Sequence, residues 1–216
     1  MPQKGKTMKT ASRHLLAFCL AFAANASAQA LADAALVDAL RGGGYVIVMR
    51  HGATYADQAD TDPLNVEQAG NETKQRMLND KGRAAAQAVG ESLRAMKVPV
   101  GLIVTSKLAR AQETARLMNV GAVTTSWDVT EGNQIVSPNE NNRRAAALRR
   151  IAATPPAPGT NTLVVTHKPN VIDAFGKDWF EVKEGEASVF KPDGAGGFSP
   201  VARVPIEQWP ALAARR

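Results

Sequence analysis

With 216 residues, 5% aromatics, a formal charge of +6 and one cysteine, the chain is long enough for one compact core and excludes a disulfide-stapled scaffold. Much of the basic excess is local: Lys4, Lys6, Lys9 and Arg13 are four of the 26 Lys and Arg, and without residues 1–28 the balance is 22 against 20, or +2. Nucleic-acid domains usually show a clustered basic face, so such a partner is not expected.

Those four cations precede the apolar run Leu15 to Ala24 and the small residues Ala26-Ser27-Ala28. This is the pattern of a secretory signal peptide over residues 1–28. The run is too short for a permanent membrane helix, so no stable membrane insertion is expected. Cys19, the only cysteine, lies within it. The predicted product is a periplasmic or secreted domain, residues 29–216, with neither thiol nor disulfide.

In chain order, Leu36, Val37 and Leu40 fall at helical spacing and Gly42-Gly43-Gly44 stops the helix. Tyr45-Val-Ile-Val-Met49 reads as a strand buried on both faces, followed at once by Arg50-His51-Gly52. In layered α/β sheets ligands sit beyond the carboxyl ends of the strands, which puts Arg50 and His51 at a site; Gly52 would let a ligand approach the backbone. Residues 53–77 form a long polar loop with Asp57, Asp60 and Asp62, of the kind that makes lids and substrate walls. Asn79 or Asp80 should cap a helix through Ala86, Val89, Leu93 and Met96.

Leu102 to Thr105 is the second strand, and Ser106 is placed to cap a helix from about Leu108 to Met118. Arg110 then lies near that N-terminus, where free N–H groups and the helix dipole favour an anion. A third strand falls within Val120 to Val129, and a helix over Asn141 to Ala153 ends at Pro155-Pro156. Thr162 to Thr166 is the fourth strand, with His167 at its end and Pro169 as a turn signal. Ala187 to Lys191 and Val201 to Val204 give two tail strands, before a short helix near Gln208 to Leu212. Strands alternating with helices imply an α/β layered domain.

Two histidines that each directly follow a buried strand, with arginine forks nearby, suit phosphoryl oxygens. At the full ordered set the chain resembles the histidine phosphatase superfamily: Arg50-His51-Gly52, Ser106 with Arg110-Ala111 and Thr114-Ala115, and His167 after an apolar strand. Leu78 with Gly82-Arg83 and Ala86 is similar to the family's helix after the first loop. The resemblance implies the phosphoglycerate-mutase-like fold, a three-layer sandwich with a mostly parallel central sheet flanked by helices. It also implies that His51 is the nucleophile forming a phosphohistidine and that Arg50, Arg110 and His167 bind the phosphoryl group. Lys168, standing where the acid-phosphatase branch has an aspartate, argues for the first branch.

The chemistry agrees: phosphoryl transfer needs positioning and cationic stabilisation, which Arg50, Arg110 and a protonated His167 would supply without metal or other cofactor. A small phosphorylated substrate is the implied partner. The leaving alcohol needs a proton, and Glu131 is the expected donor, with Asp128 and Asp57 as alternatives. Lys107 and Lys168 are either mouth residues favouring polyanions or ordinary exposed lysines; Asn170 either orients the site or caps a helix. The expected activity is a metal-independent phosphomonoesterase. A phosphomutase and a phosphate-binding module without turnover are the competing readings.

Overall fold

A computed structural model describes residues 1–2, 33–132 and 135–215. The expected signal peptide, apart from Met1 and Pro2, lies outside the described residues. The chain divides into two compact units, Met1–Leu36 and Val37–Arg216. Residues 33–42 are helical (α1), and the second unit holds every other described element.

Local chemistry sets the elements. Gly43 takes a positive φ of 75°, open to glycine without strain, and its N–H reaches back to the carbonyl of Leu40. β1 (Val46–Arg50) follows, its first four residues fully buried. Helix α2 (Asp80–Ala95) starts at Asn79, whose side chain accepts from the N–H of Gly82, and buries Ala86, Val89 and Leu93 on one face. β2 (Val100–Thr105), α3 (Ala109–Met118) and β3 (Val123–Thr125) come next. Helix α4 (Pro138–Ala153) begins earlier than the expected Asn141, because Ser137 caps it and Pro138 occupies the first turn.

β4 (Asn161–Thr166) is buried throughout and leads into α5 (Lys168–Phe175), with His167 as the N-cap residue. In chain order no element is expected here, although Asn170 read as a cap implies a helix nearby. Pro169 reads as a turn signal, but proline fits a first helical turn, where its missing N–H has no intrahelical partner to lose. β5 (Ala187–Pro192), β6 (Phe198–Val204) and α6 (Gln208–Ala214) complete the chain.

The sheet order is β3-β2-β4-β1-β5-β6. The first four strands are parallel and β5 and β6 antiparallel. Val46 and Val48 of β1, Val164 of β4 and Phe190 of β5 pack on one side with Leu148, Ala152, Val171 and Ala174 of α4 and α5. The alternate residues Ile47, Met49, Leu163 and Val165 are equally buried and point to the opposite layer, where α2 packs on α3 and α6. The result is the expected three-layer, mostly parallel sandwich.

β1 and β4 are central neighbours, with Arg50 opposite Thr166 in register. The residues that follow, His51 and His167, therefore emerge side by side at the carboxyl edge of the sheet. Gly52 serves packing, contrary to the expectation of ligand approach: a Cβ there would lie 3.1 Å from the carbonyl oxygen of Gly82. A Cβ on Gly82 would in turn overlap the backbone of Ala53. The two glycines let α2 lie directly on the turn after the histidine.

Candidate active site

The imidazoles of His51 and His167 are 5.2 Å apart between ring centroids, and both are buried. His51 Nδ1 lies 2.8 Å from the carbonyl oxygen of Gly52. A carbonyl only accepts, so the ring proton sits on Nδ1 and Nε2 keeps its lone pair. The Gly52 N–H donates to Thr114 Oγ1 (3.0 Å), whose hydroxyl donates to the carbonyl of Arg110 (2.7 Å). The histidine turn is thus tied to α3.

Ser106 does not cap that helix. The N-cap residue is Leu108, with no side-chain bond. The Ser106 hydroxyl accepts from the N–H of Leu108 (3.0 Å) and lies 2.7 Å from His167 Nε2. Among the described residues Nε2 is the one acceptor within reach of the hydroxyl proton, so the hydroxyl donates to Nε2, which leaves the ring proton on Nδ1, 3.6 Å from Glu131 Oε1. The N–H groups at this helix start are also taken: Lys107 donates to Thr130 Oγ1 and Ala109 to Gln75 Oε1. An oxyanion here meets side chains rather than the free N–H groups that were expected.

Arg110 is completely buried and carries two carboxylates. Its Nη1 and Nη2 donate to Asp60 Oδ1 (2.9 Å) and Oδ2 (3.1 Å), and Nη2 also donates to Glu131 Oε1. Arg50 donates from Nη1 to the carbonyl of Val182 (2.9 Å) and lies 3.6 Å from Glu184 Oε1. The charges of Arg50 and Arg110 are both felt at both histidines, so all four predicted side chains converge. The Nε–H groups of Arg50 and Arg110 and His167 Nδ1 have no hydrogen-bond partner among the described residues. These spare donors are a deficit that an oxyanion with several lone pairs can fill.

Burial and then the Arg110 charge hold both imidazoles well below the ordinary histidine range. That suits a neutral nucleophile at position 51. It departs from the expected protonated His167, which is a neutral donor through Nδ1. A stability consequence follows. Below about pH 6.5 the unfolded chain takes up two protons that the native site refuses, so stability is full above that pH and declines as pH falls, by up to about 2.7 kcal/mol per pH unit. Urea midpoints between pH 7.5 and 5.5 test this: His167→Gln should flatten the slope by about half, and an unchanged slope would refute it.

Of the three candidate acids, Glu131 reaches the cluster. Asp128 is paired with Arg143 (2.5 Å), half exposed, and Asp57 is exposed on the loop. The Glu131 segment is pinned from several sides. Thr130 accepts at its carbonyl from Arg144 Nη1 (3.0 Å) and Asn170 Nδ2 (3.1 Å), and Thr166 Oγ1 donates to the carbonyl of Val129 (2.6 Å). Asn170 therefore holds the acid-bearing loop and does not cap α5. Lys107 pairs with Glu67 (2.6 Å), and the Lys168 ammonium lies 4.7 Å from the centroid of the Phe180 ring.

Sequence reasoning did not assign Asp60, Arg76 or Glu184 to the site. Arg76 depresses both histidines and donates its backbone N–H to Asp60 Oδ1 (2.9 Å). Glu184 also accepts from Thr54 Oγ1 (2.9 Å). Asp60 occupies both Nη groups of Arg110, so an oxyanion that used that fork would have to displace it. Asp60→Asn should tighten inorganic phosphate binding about 10-fold, read as the inhibition constant or by calorimetry. Weaker binding in the variant would show that Asp60 orients Arg110 instead.

Two neutral strand-end histidines and two arginine forks share one edge of the parallel sheet, an arrangement whose donors can hold a tetrahedral oxyanion beside an imidazole. The family model of the histidine phosphatase superfamily (branch 1) matches residues 46–133, from β1 to just past Glu131. Over that stretch the chain is similar to the superfamily. The protein histidine phosphatase SixA complexed with tungstate has a similar structure, at TM-score 0.53 and 16% identity over 76% of this chain and 98% of that one. So have a single-residue mutant of phosphoserine phosphatase from Entamoeba histolytica in complex with phosphoserine (0.50, 13%, 76% and 98%) and YhfR from Bacillus stearothermophilus (0.50, 20%, 72% and 94%). At these identities the likeness is one of fold. No curated protein matches the chain. Among the described residues no helix is long and apolar enough to cross a membrane.

Proposed function

We propose that the protein hydrolyses small phosphomonoesters through a phosphohistidine on His51, without a metal. The observation that carries this is the protonation pattern of the site: His51 presents a neutral Nε2 while Nδ1 is anchored to Gly52, in a pocket with Arg50, Arg110 and the Nδ1–H of His167. In the first step His51 Nε2 attacks phosphorus and the ester P–O bond breaks. Glu131, protonated once phosphoryl oxygens take its place on Arg110, gives its proton to the departing alkoxide. Arg50, Arg110 and His167 stabilise the charge on the equatorial oxygens. In the second step Glu131 takes a proton from water, whose oxygen attacks phosphorus, and inorganic phosphate leaves with His51 restored.

Export to the periplasm or exterior is part of the same proposal and rests on the Lys-rich, apolar and Ala-Ser-Ala pattern of residues 1–28. Edman sequencing of the secreted product should begin near Gln29, and recovery of an intact leader in the cytosol would refute it.

Phosphohistidine survives alkali, so the test is intact mass after mixing with an aryl phosphate and quenching in base. One added phosphoryl group in the native protein, absent from His51→Ala, is expected. Phosphate binding without labelling or turnover would leave a binding module on this fold instead.

A further inference from the structure

Glu131 has two sides. One faces Arg110 and His167; the other lines a cavity of about 430 Å³. The remaining wall is mainly apolar, with Leu64 and Val66 from the long loop, Leu108, Trp127, Ile135 and Val136. Leu64 is 76% exposed, Ile135 44% and Trp127 36%, so the rim holds apolar surface that an occupant would take out of water.

Charged residues also touch this cavity, but they are spent on each other. Glu140 accepts from both Arg143 (2.8 Å) and Arg144 (2.8 Å), which pushes its carboxyl down to about 2 and keeps it ionised and paired. Arg143 is further bound to Asp128, and Arg144 to the Thr130 carbonyl while it lies 5.6 Å from the Trp127 ring centroid. The second anionic group of a substrate would find no free cation among these residues.

We infer that this cavity is the subsite for the alcohol portion of the substrate and takes an uncharged apolar group of aromatic size. This rests on the proposed role of Glu131. An acid that protonates the leaving oxygen must touch it, with phosphorus on the arginine side, so the carbon chain runs to the other side, into the cavity. Monoesters of phenols or apolar alcohols are then favoured over esters bearing a second charge.

Calorimetry with non-hydrolysable phosphonates tests the subsite apart from turnover. 1-Naphthylmethylphosphonate should bind roughly 30-fold more tightly than methylphosphonate, and more tightly than the phosphonate analogue of phosphoserine. In Leu64→Ser/Ile135→Ser, which alters exposed positions only, the naphthyl-to-methyl ratio should fall at least about 3-fold. Equal affinities in the native protein, preference for the charged analogue, or a ratio unmoved by the double substitution would each overturn the inference. Failure of the proposed reaction is read separately, as absence of the alkali-stable phosphoenzyme in the mass experiment.

Discussion

His51→Ala is expected to lower phosphomonoester turnover by about 10⁴-fold or more, with no phosphoenzyme detectable. No neighbour can stand in. His167 directs Nε2 at Ser106 and carries its proton on Nδ1, so it offers no lone pair to phosphorus. The ring of His51 is buried, so truncation also leaves a hole costing roughly 1–3 kcal/mol. His51→Asn separates the two effects, since an amide can still donate to the Gly52 carbonyl and fill part of the space. Both variants should keep their affinity for inorganic phosphate within a few-fold, because Arg50, Arg110 and His167 remain. Turnover within tenfold of native in either variant would remove His51 from the mechanism.

Arg110→Met combines a chemical and a structural loss. The guanidinium is the charge that acts most strongly on both histidines, and removing such a preorganised cation should lower turnover about 10³-fold. The substitution also strands Asp60 and Glu131, whose side chains are only 12% and 9% exposed, without their shared cation. Breaking a buried ionic cluster from one side costs about 3–5 kcal/mol. Asp60→Asn in the Arg110→Met background should return part of that stability, and a double-mutant cycle by urea denaturation measures the coupling. Simple additivity of the two substitutions would show that the bidentate pair is energetically idle.

What could be read in the sequence was what lies close along the chain. Arg50 ends β1 and His51 follows it without a gap, His167 follows β4, and Arg110 stands one position into α3, so short-range pattern was enough to place all four at one edge. Side-chain direction was less legible. Ser106 looks like a helix cap because a hydroxyl precedes a helical period, yet its oxygen turns to His167, and Gln75 from a distant loop satisfies the helix start. Asp60, Arg76 and Glu184 reach the site through the fold of the 53–77 loop and the turn before β5, and no local period encodes either path. Asp60 was visible as one of three loop aspartates, but nothing near it in sequence singles it out from Asp57 and Asp62.

The pairing of β1 with β4 joins strands far apart along the chain, with α2, β2, α3, β3 and α4 between them. Loop closure on that scale is slow, and the catalytic pocket does not exist until it is complete. Recovery of phosphatase activity after dilution from denaturant should consequently lag the return of helical circular dichroism. A chain stopped before Asn161 would hold one imidazole and both guanidinium groups and still be inert, so enzyme assay gives a reporter of topological completion.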